Sequence, residues 1–193
     1  MAFNEFDYDP TKHTLGAINT MLNTIGEEDI DNEEDIDDVL EATKARKVLM
    51  EVKREVLSSG WDVNIDENYV LPTDLNGYIP IPSNVLEVTD VTGDLIERGH
   101  MLYSKSAQSV VFEEAQTVEI KWDLAFNDIP QALRNYITLK ATKRFRDRDI
   151  GADTVQHGFT QEDERDAYME ARRSEASSTN ASMLSPTYDI NRG

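Results

Sequence analysis

Ser58-Ser59-Gly60-Trp61-Asp62-Val63-Asn64-Ile65 is the stretch in which a long helical pattern stops at a glycine and an alternating pattern begins. Glycine takes the left-handed conformation that closes a helix without a Cβ penalty. Trp61, Val63 and Ile65 then fall on one side of an extended chain. The stretch therefore reads as a helix-to-sheet corner. From Trp61 to Trp122 the chain reads as short strands, and on either side of that window it reads as helices. The prediction is an α+β fold with three parts. An antiparallel helical bundle forms from 1–60 and 123–178, a small, mostly antiparallel β sub-domain is inserted at 61–122, and an extended C-terminal tail covers 179–193.

Upstream of the corner, Leu15, Ile18, Leu22 and Ile25 step by three and four, with Thr11 or Thr14 as cap and Gly26 as stop. Between Glu27 and Glu41 stand ten acids and no base. Asp29, Asp31 and Glu33 resemble the start of a calcium loop. However, Glu34 stands where that loop turns on glycine, and Leu40 stands where it needs a bidentate acid, so no calcium site is predicted. The carboxylates suit the positive end of the next helix, expected over Asp37 to Ser59. Val39, Ala42, Ala45, Leu49, Val52 and Val56 form its apolar face, and Lys44, Lys47, Glu51, Lys53, Arg54 and Glu55 its polar one.

Within the strand window, Asn76-Gly77 is a tight-hairpin signal, because both central positions of such a turn want positive φ. Tyr69–Pro72 and Tyr78–Pro82 would flank it as edge or crossing strands, since proline donates nothing to a ladder. Further β patterns stand at Leu86–Val88, Met101–Tyr103, Val110–Phe112 and Val118–Trp122, with Gly93 and Gly99 in turns.

Helix resumes near Pro130, with Asp128 and Gln131 spaced as a capping box. Leu133, Ile137, Ala141 and Phe145 make its stripe, opposite a basic side carrying Arg134, Lys140, Lys143, Arg144, Arg146 and Arg148. That side complements the acids of 27–41, on the same chain or a neighbouring one. A last helix begins with a cap at Thr160 and reaches about Glu175. Its apolar residues are only Ala167, Tyr168, Met169 and Ala171, so it should adhere weakly to its own subunit. The tail carries separated anchors at Met183, Leu184, Tyr188 and Ile190, suited to ordering on a partner. Phe3, Phe6 and Tyr8 form an aromatic N-terminal arm.

Nineteen Lys and Arg against 38 Asp and Glu give a net charge of −19, which repels duplex phosphate. The absence of cysteine removes disulfides, thiolate metal sites and thiol catalysis, and points to a reducing compartment such as the cytoplasm. Neither a membrane-length apolar run nor a signal sequence is seen. His13, His100 and His157 are too far apart to predict a zinc site. The glycines form no phosphate loop, and carboxylate pairs in so acidic a chain carry no catalytic signal. No cofactor and no enzymatic activity are predicted. Two functions suit such a chain: a structural protein acting by assembly, or an acidic mimic of DNA that occupies a DNA-binding enzyme.

The order of helix, acidic spacer and long helix before Ser59-Gly60-Trp61-Asp62-Val63-Asn64 resembles the tail tubular protein A family of short-tailed bacteriophages. Ile25-Gly26-Glu27, Ala45-Arg46, Ile129-Pro130 through Lys140-Ala141, and Arg144-Phe145 with Gly151-Ala152 add to the likeness. The resemblance implies a head-to-tail adaptor of the virion, made in the host cytoplasm and forming a twelvefold ring beneath the portal. It implies portal docking through the last helix and tail, hence Tyr168, Ala171, Met183, Leu184, Tyr188 and Ile190. The β region, with Asn76, Gly77 and Tyr78, would face the nozzle (tubular protein B) or the tail fibres. Arg144, Arg146 and Arg148 would pair with Asp35, Asp37 and Asp38 between subunits. DNA would pass an acidic bore without specific binding.

Overall fold

A computed structural model of the chain describes residues 12–149 and 161–183. Four helices and five strands appear there: α1 (Lys12–Asn23), α2 (Leu40–Ser58), β1 (Ile65–Leu71), β2 (Val85–Thr89), β3 (Leu95–Arg98), β4 (Met101–Ser104), β5 (Gln116–Trp122), α3 (Gln131–Asp149) and α4 (Gln161–Met183). The fold is α+β. The aromatic arm, Thr11, the Thr160 cap, Gly151-Ala152, Leu184, Tyr188 and Ile190 lie outside the described residues.

Helix α1 closes on Gly26, whose φ is 82°, with Glu27 N–H bonded to Leu22 O and Gly26 N–H to Asn23 O. These are the two bonds of a Schellman motif. Thr14 is no cap: it lies inside α1, buried, with its hydroxyl on Asn127 Oδ1 at 3.0 Å. Helix α2 begins at Leu40 rather than Asp37, because Glu33–Asp37 form a 3-10 turn and Val39 is extended. Lys53 leaves the polar face assigned to it. It is buried, bonding Leu124 O and the Asp123 carboxylate at 2.8 Å, and so ties α2 to the chain leaving β5.

The acidic run is an ordered ledge held by two buried isoleucines. Ile30 is 7% exposed and Ile36 0%. Asn19 grips Ile30 through both backbone groups, its Oδ1 accepting from the N–H and its Nδ2 donating to the carbonyl. Thr43 donates to Ile36 O. The carboxylates face outward around these anchors.

Every described strand pairing is antiparallel, in a three-stranded sheet of order β1-β5-β2 and a separate β3-β4 hairpin. Leu95–Arg98 was not singled out by its sequence, and Val110–Phe112 is no strand: Val111 makes only an isolated bridge to Tyr78. Asn76-Gly77 does not join a hairpin, for β1 pairs with β5 instead. Only Gly77 has positive φ there, at 80°. The doubly positive turn stands at Gly99 (63°) and His100 (62°), between β3 and β4.

The helices share one apolar core, with α2 against α1 and α3, and α3 against α4. A second cluster, including Leu71, Ile79, Leu102 and Ile120, fills the β region. Trp61 belongs to the helical core. At the start of α3 the expected capping box is replaced. Asp128 sits in a 3-10 turn, and Gln131 accepts from the buried Arg134, whose Nη1 also reaches Asn127 O at 2.8 Å.

Candidate assembly surfaces

At the corner after α2, Gly60 has φ of 82° and its N–H reaches Leu57 O. A full Schellman closure would add a bond from Trp61 N–H to Val56 O. Here two side chains substitute for it. Trp61 N–H goes to Asn64 Oδ1 and the indole Nε1 donates to Val56 O, both at 3.0 Å. Asn64, wholly buried, donates to Leu57 O at 3.1 Å and to Trp122 O at 2.8 Å. Thus one amide joins the end of α2, the turn and β5. Asp62–Asn64 is a 3-10 turn rather than a strand, so Trp61 is 2% exposed and Val63 is 41% exposed.

Helix α4 closes over this corner. Ala167 and Ala171 enter the core, and the Tyr168 ring meets Trp61 and Tyr136 edge-on at 6.1 and 5.3 Å between centroids. The Arg172 guanidinium carbon lies 3.7 Å from the Trp61 ring centre. Its Nη1 donates to Glu175 at 2.8 Å and its Nε to the Tyr168 hydroxyl at 3.2 Å. Burial works against the Arg172 charge, but these bonds outweigh it and raise its pKa. Glu175 also accepts from Asp62 N–H at 2.7 Å. The expectation that so polar a helix would adhere weakly is therefore overturned. Tyr168, Arg172 and Glu175, with a cation on an indole among their contacts, replace the aliphatic stripe the helix lacks.

Beside this contact runs a groove of about 380 Å³ lined by Trp61, Val63, Pro130, Leu133, Ala171 and Ser178. Of the residues expected at a portal contact, Ala171 is already covered by its own subunit, while Tyr168 keeps 36% exposure. Met183 ends α4, which runs eight residues past the expected Glu175 and across the 178/179 boundary.

On the other side of α3, the basic face meets α2. Arg148 grips Glu51 with two bonds at 2.8 and 2.9 Å, Arg144 reaches Glu55 at 2.7 Å, and Lys140 reaches Glu55 at 2.9 Å. The Arg148 hydrogen bonds lower the Glu51 pKa against a smaller effect of burial; Lys140 does most to lower that of Glu55. Asp37 is held by Arg46 and Asp35 by Asn32. Among the described residues, the carboxylate nearest Arg146 is that of its neighbour Asp147, at 3.5 Å. The sequence brought forward the basic residues of α3 but missed Glu51 and Glu55 as their intrachain partners.

At the β end, Asp74 organises the expected nozzle-facing tip. Its Oδ1 accepts from Asn76 and Tyr78 N–H, each at 2.8 Å, leaving Asn76 and the apolar Leu75 in solvent. A Cβ on Gly77 would lie 2.8 Å from Phe112 O, so the tip rests directly on the segment behind it.

Among the described residues, no group of three or more His, Asp or Glu side chains could hold a metal ion, and no helix is long and apolar enough to cross a membrane. What the geometry offers is surfaces: a half-anchored helix, an acidic ledge and an exposed loop tip. The family described as tail tubular protein matches residues 15–181. The chain is also similar to tail tubular protein A of Klebsiella phage KP34, at 31% identity over 157 residues, spanning 78% of this chain and 81% of the relative. The matched span holds α2, the corner, all five strands and α3 entire, with most of α1 and α4. The chain belongs to the tail tubular protein family, structural components of bacteriophage tails.

Proposed function

We propose that this tail protein is a head-to-tail adaptor, assembled as a ring of twelve subunits beneath the portal, which seals and conducts packaged DNA and carries the nozzle and fibres. The observation that supports the reading best is the two-part character of α4. Up to Glu175 the helix is bound to its own subunit, and beyond Ala171 no described side chain is buried, yet the helix continues to Met183. An outward helix end followed by Leu184, Tyr188 and Ile190 is suited to gripping a second protein. The portal is the partner proposed for it, with the half-exposed Tyr168 contributing beside the tail. Asn76 and Tyr78, at the tip over Gly77, are proposed to meet nozzle or fibre. Arg146, with Asp35, Asp37 and Asp38, is proposed for charge pairing between subunits, where Arg144 and Arg148 contribute less because α2 already holds them. The outward acids at the start of the run, Glu27, Glu28, Asp29 and Asp31, are proposed to face the bore, where they repel phosphate and let DNA slide.

Electron microscopy of the full chain mixed with its portal tests this. The expected image is a ring on the portal, lost on deleting 184–193 while the truncated chain keeps its melting temperature. A chain that never associates with the portal overturns the reading.

A further inference from the structure

Copies carrying −19 each repel one another, so a ring needs a place where cations of one subunit meet acids of the next. Most cations on α2 and α3 are already spent within the chain. On α4, Arg165 and Arg173 are exposed and engaged by no carboxylate among the described residues. Eight residues apart, they stand about 12 Å apart along the helix, with Met169, 44% exposed, between them on the same face. That face points away from Ala167 and Ala171. Glu162, Asp166 and Glu170 run beside it, so the surface is basic along one edge and acidic along the other.

The acidic ledge has the converse design. Leu40, 64% exposed, stands at the start of α2 beside Asp38, and Glu34 is exposed in the preceding 3-10 turn. The ledge packs on α1 and α2, whereas α4 packs on α3. Ledge and stripe therefore lie on different elements and differ in charge, which suits a head-to-tail contact, the type that builds a ring when its rotation closes.

Resting on the ring reading above, we propose that the Arg165-Met169-Arg173 face of α4 docks on the Glu34-Asp38-Leu40 ledge of a second copy of this chain. Arginine forks meet carboxylates, and Met169 covers Leu40. Salt weakens the contact, because both charge sets lie at the surface.

The test uses the full chain with its portal, scored for rings by electron microscopy and for mass by native mass spectrometry. R165E/R173E should lower the ring fraction by about tenfold or more, as should E34R/D38R. The fourfold variant carrying both reversals should recover it. Circular dichroism and melting of each variant identify a folding failure, and the isosteric pair R165Q/R173Q, which adds no repulsion, should weaken assembly in the same direction. Rings unaffected by R165E/R173E overturn this contact while leaving the adaptor reading intact. Loss without recovery in the fourfold variant overturns it too, and gives the α4 face to another protein. If the wild-type chain forms no ring at all, the adaptor reading itself falls.

Discussion

The guanidinium carbon of Arg172 stands 3.7 Å from the centre of the Trp61 ring, joining the fourth helix to the corner after the second. The two are more than a hundred positions apart, and the helix around Arg172 has little other apolar material. Arg172→Ala should destabilise the chain by about 1–2 kcal/mol, the range of a partly desolvated cation on an indole. Arg172→Lys keeps the charge but loses the planar fork, and should fall between the two. Urea unfolding followed by tryptophan fluorescence reads both changes.

Asn64→Ala should cost more. It removes the side-chain partners of Trp61 N–H and Trp122 O and one of the two donors to Leu57 O, at a fully buried position. About 2–4 kcal/mol is the expected loss. If denaturant midpoints of the variant and the parent coincided, the corner would not be the junction described.

Acid should weaken the seam between α2 and α3. Hydrogen bonds from Arg148 and from Lys140 hold Glu51 and Glu55 below the ordinary carboxyl value of 4.5. A lowered native pKa means that the unfolded chain binds the proton more tightly. This stabilisation is therefore present above 4.5 and lost as pH falls through the native values. Melting temperatures from pH 7 to 3 should drop less steeply in E51Q/E55Q than in the parent. High salt should narrow the difference, since these pairs are at the surface.

Two glycines separate backbone conformation from crowding. Gly93 has φ of 69° with nothing near its missing Cβ, so Gly93→Ala should cost about 1 kcal/mol. Gly77 has φ of 80° and a backbone oxygen at 2.8 Å from that position, so Gly77→Ala should cost about 2–3 kcal/mol. Calorimetry that ranked the two in the opposite order would refute the account of the loop tip.

Helical stripes were legible wherever aliphatic spacing carried them: Ile18 and Leu22, Leu49 and Val52, Ile137 and Phe145 are all buried. Glycine stops at 26 and 60 were equally plain, because only a left-handed residue can close those helices. The sequence failed where a structure depends on which distant partner arrives. Ile30 and Ile36 look lost among acids until α1 and α2 supply their pockets. Arg144 and Arg148 could be matched to any carboxylate until the register of α3 on α2 selects Glu55 and Glu51. The turn signal at Asn76-Gly77 was local and strong, yet β5 captured β1, and the two-residue turn went to Gly99-His100. Among the candidate surfaces, the exposure of the loop tip and the polarity of the last helix were legible in the sequence. The embrace of Trp61 by Tyr168 and Arg172 was not, since neither residue shows periodicity that would point there.

Because α4 is clasped near Trp61 and exposed over residues 176–178, a load applied beyond Ser178 would act on it as on a lever with its fulcrum at the corner. Tension on its far end enters the subunit through Arg172, Glu175 and Tyr168, and from Trp61 passes by way of Asn64 into the central strand β5. The polar contacts of this clasp lie nearer the surface than either apolar core, so they stand first in the path of such a load.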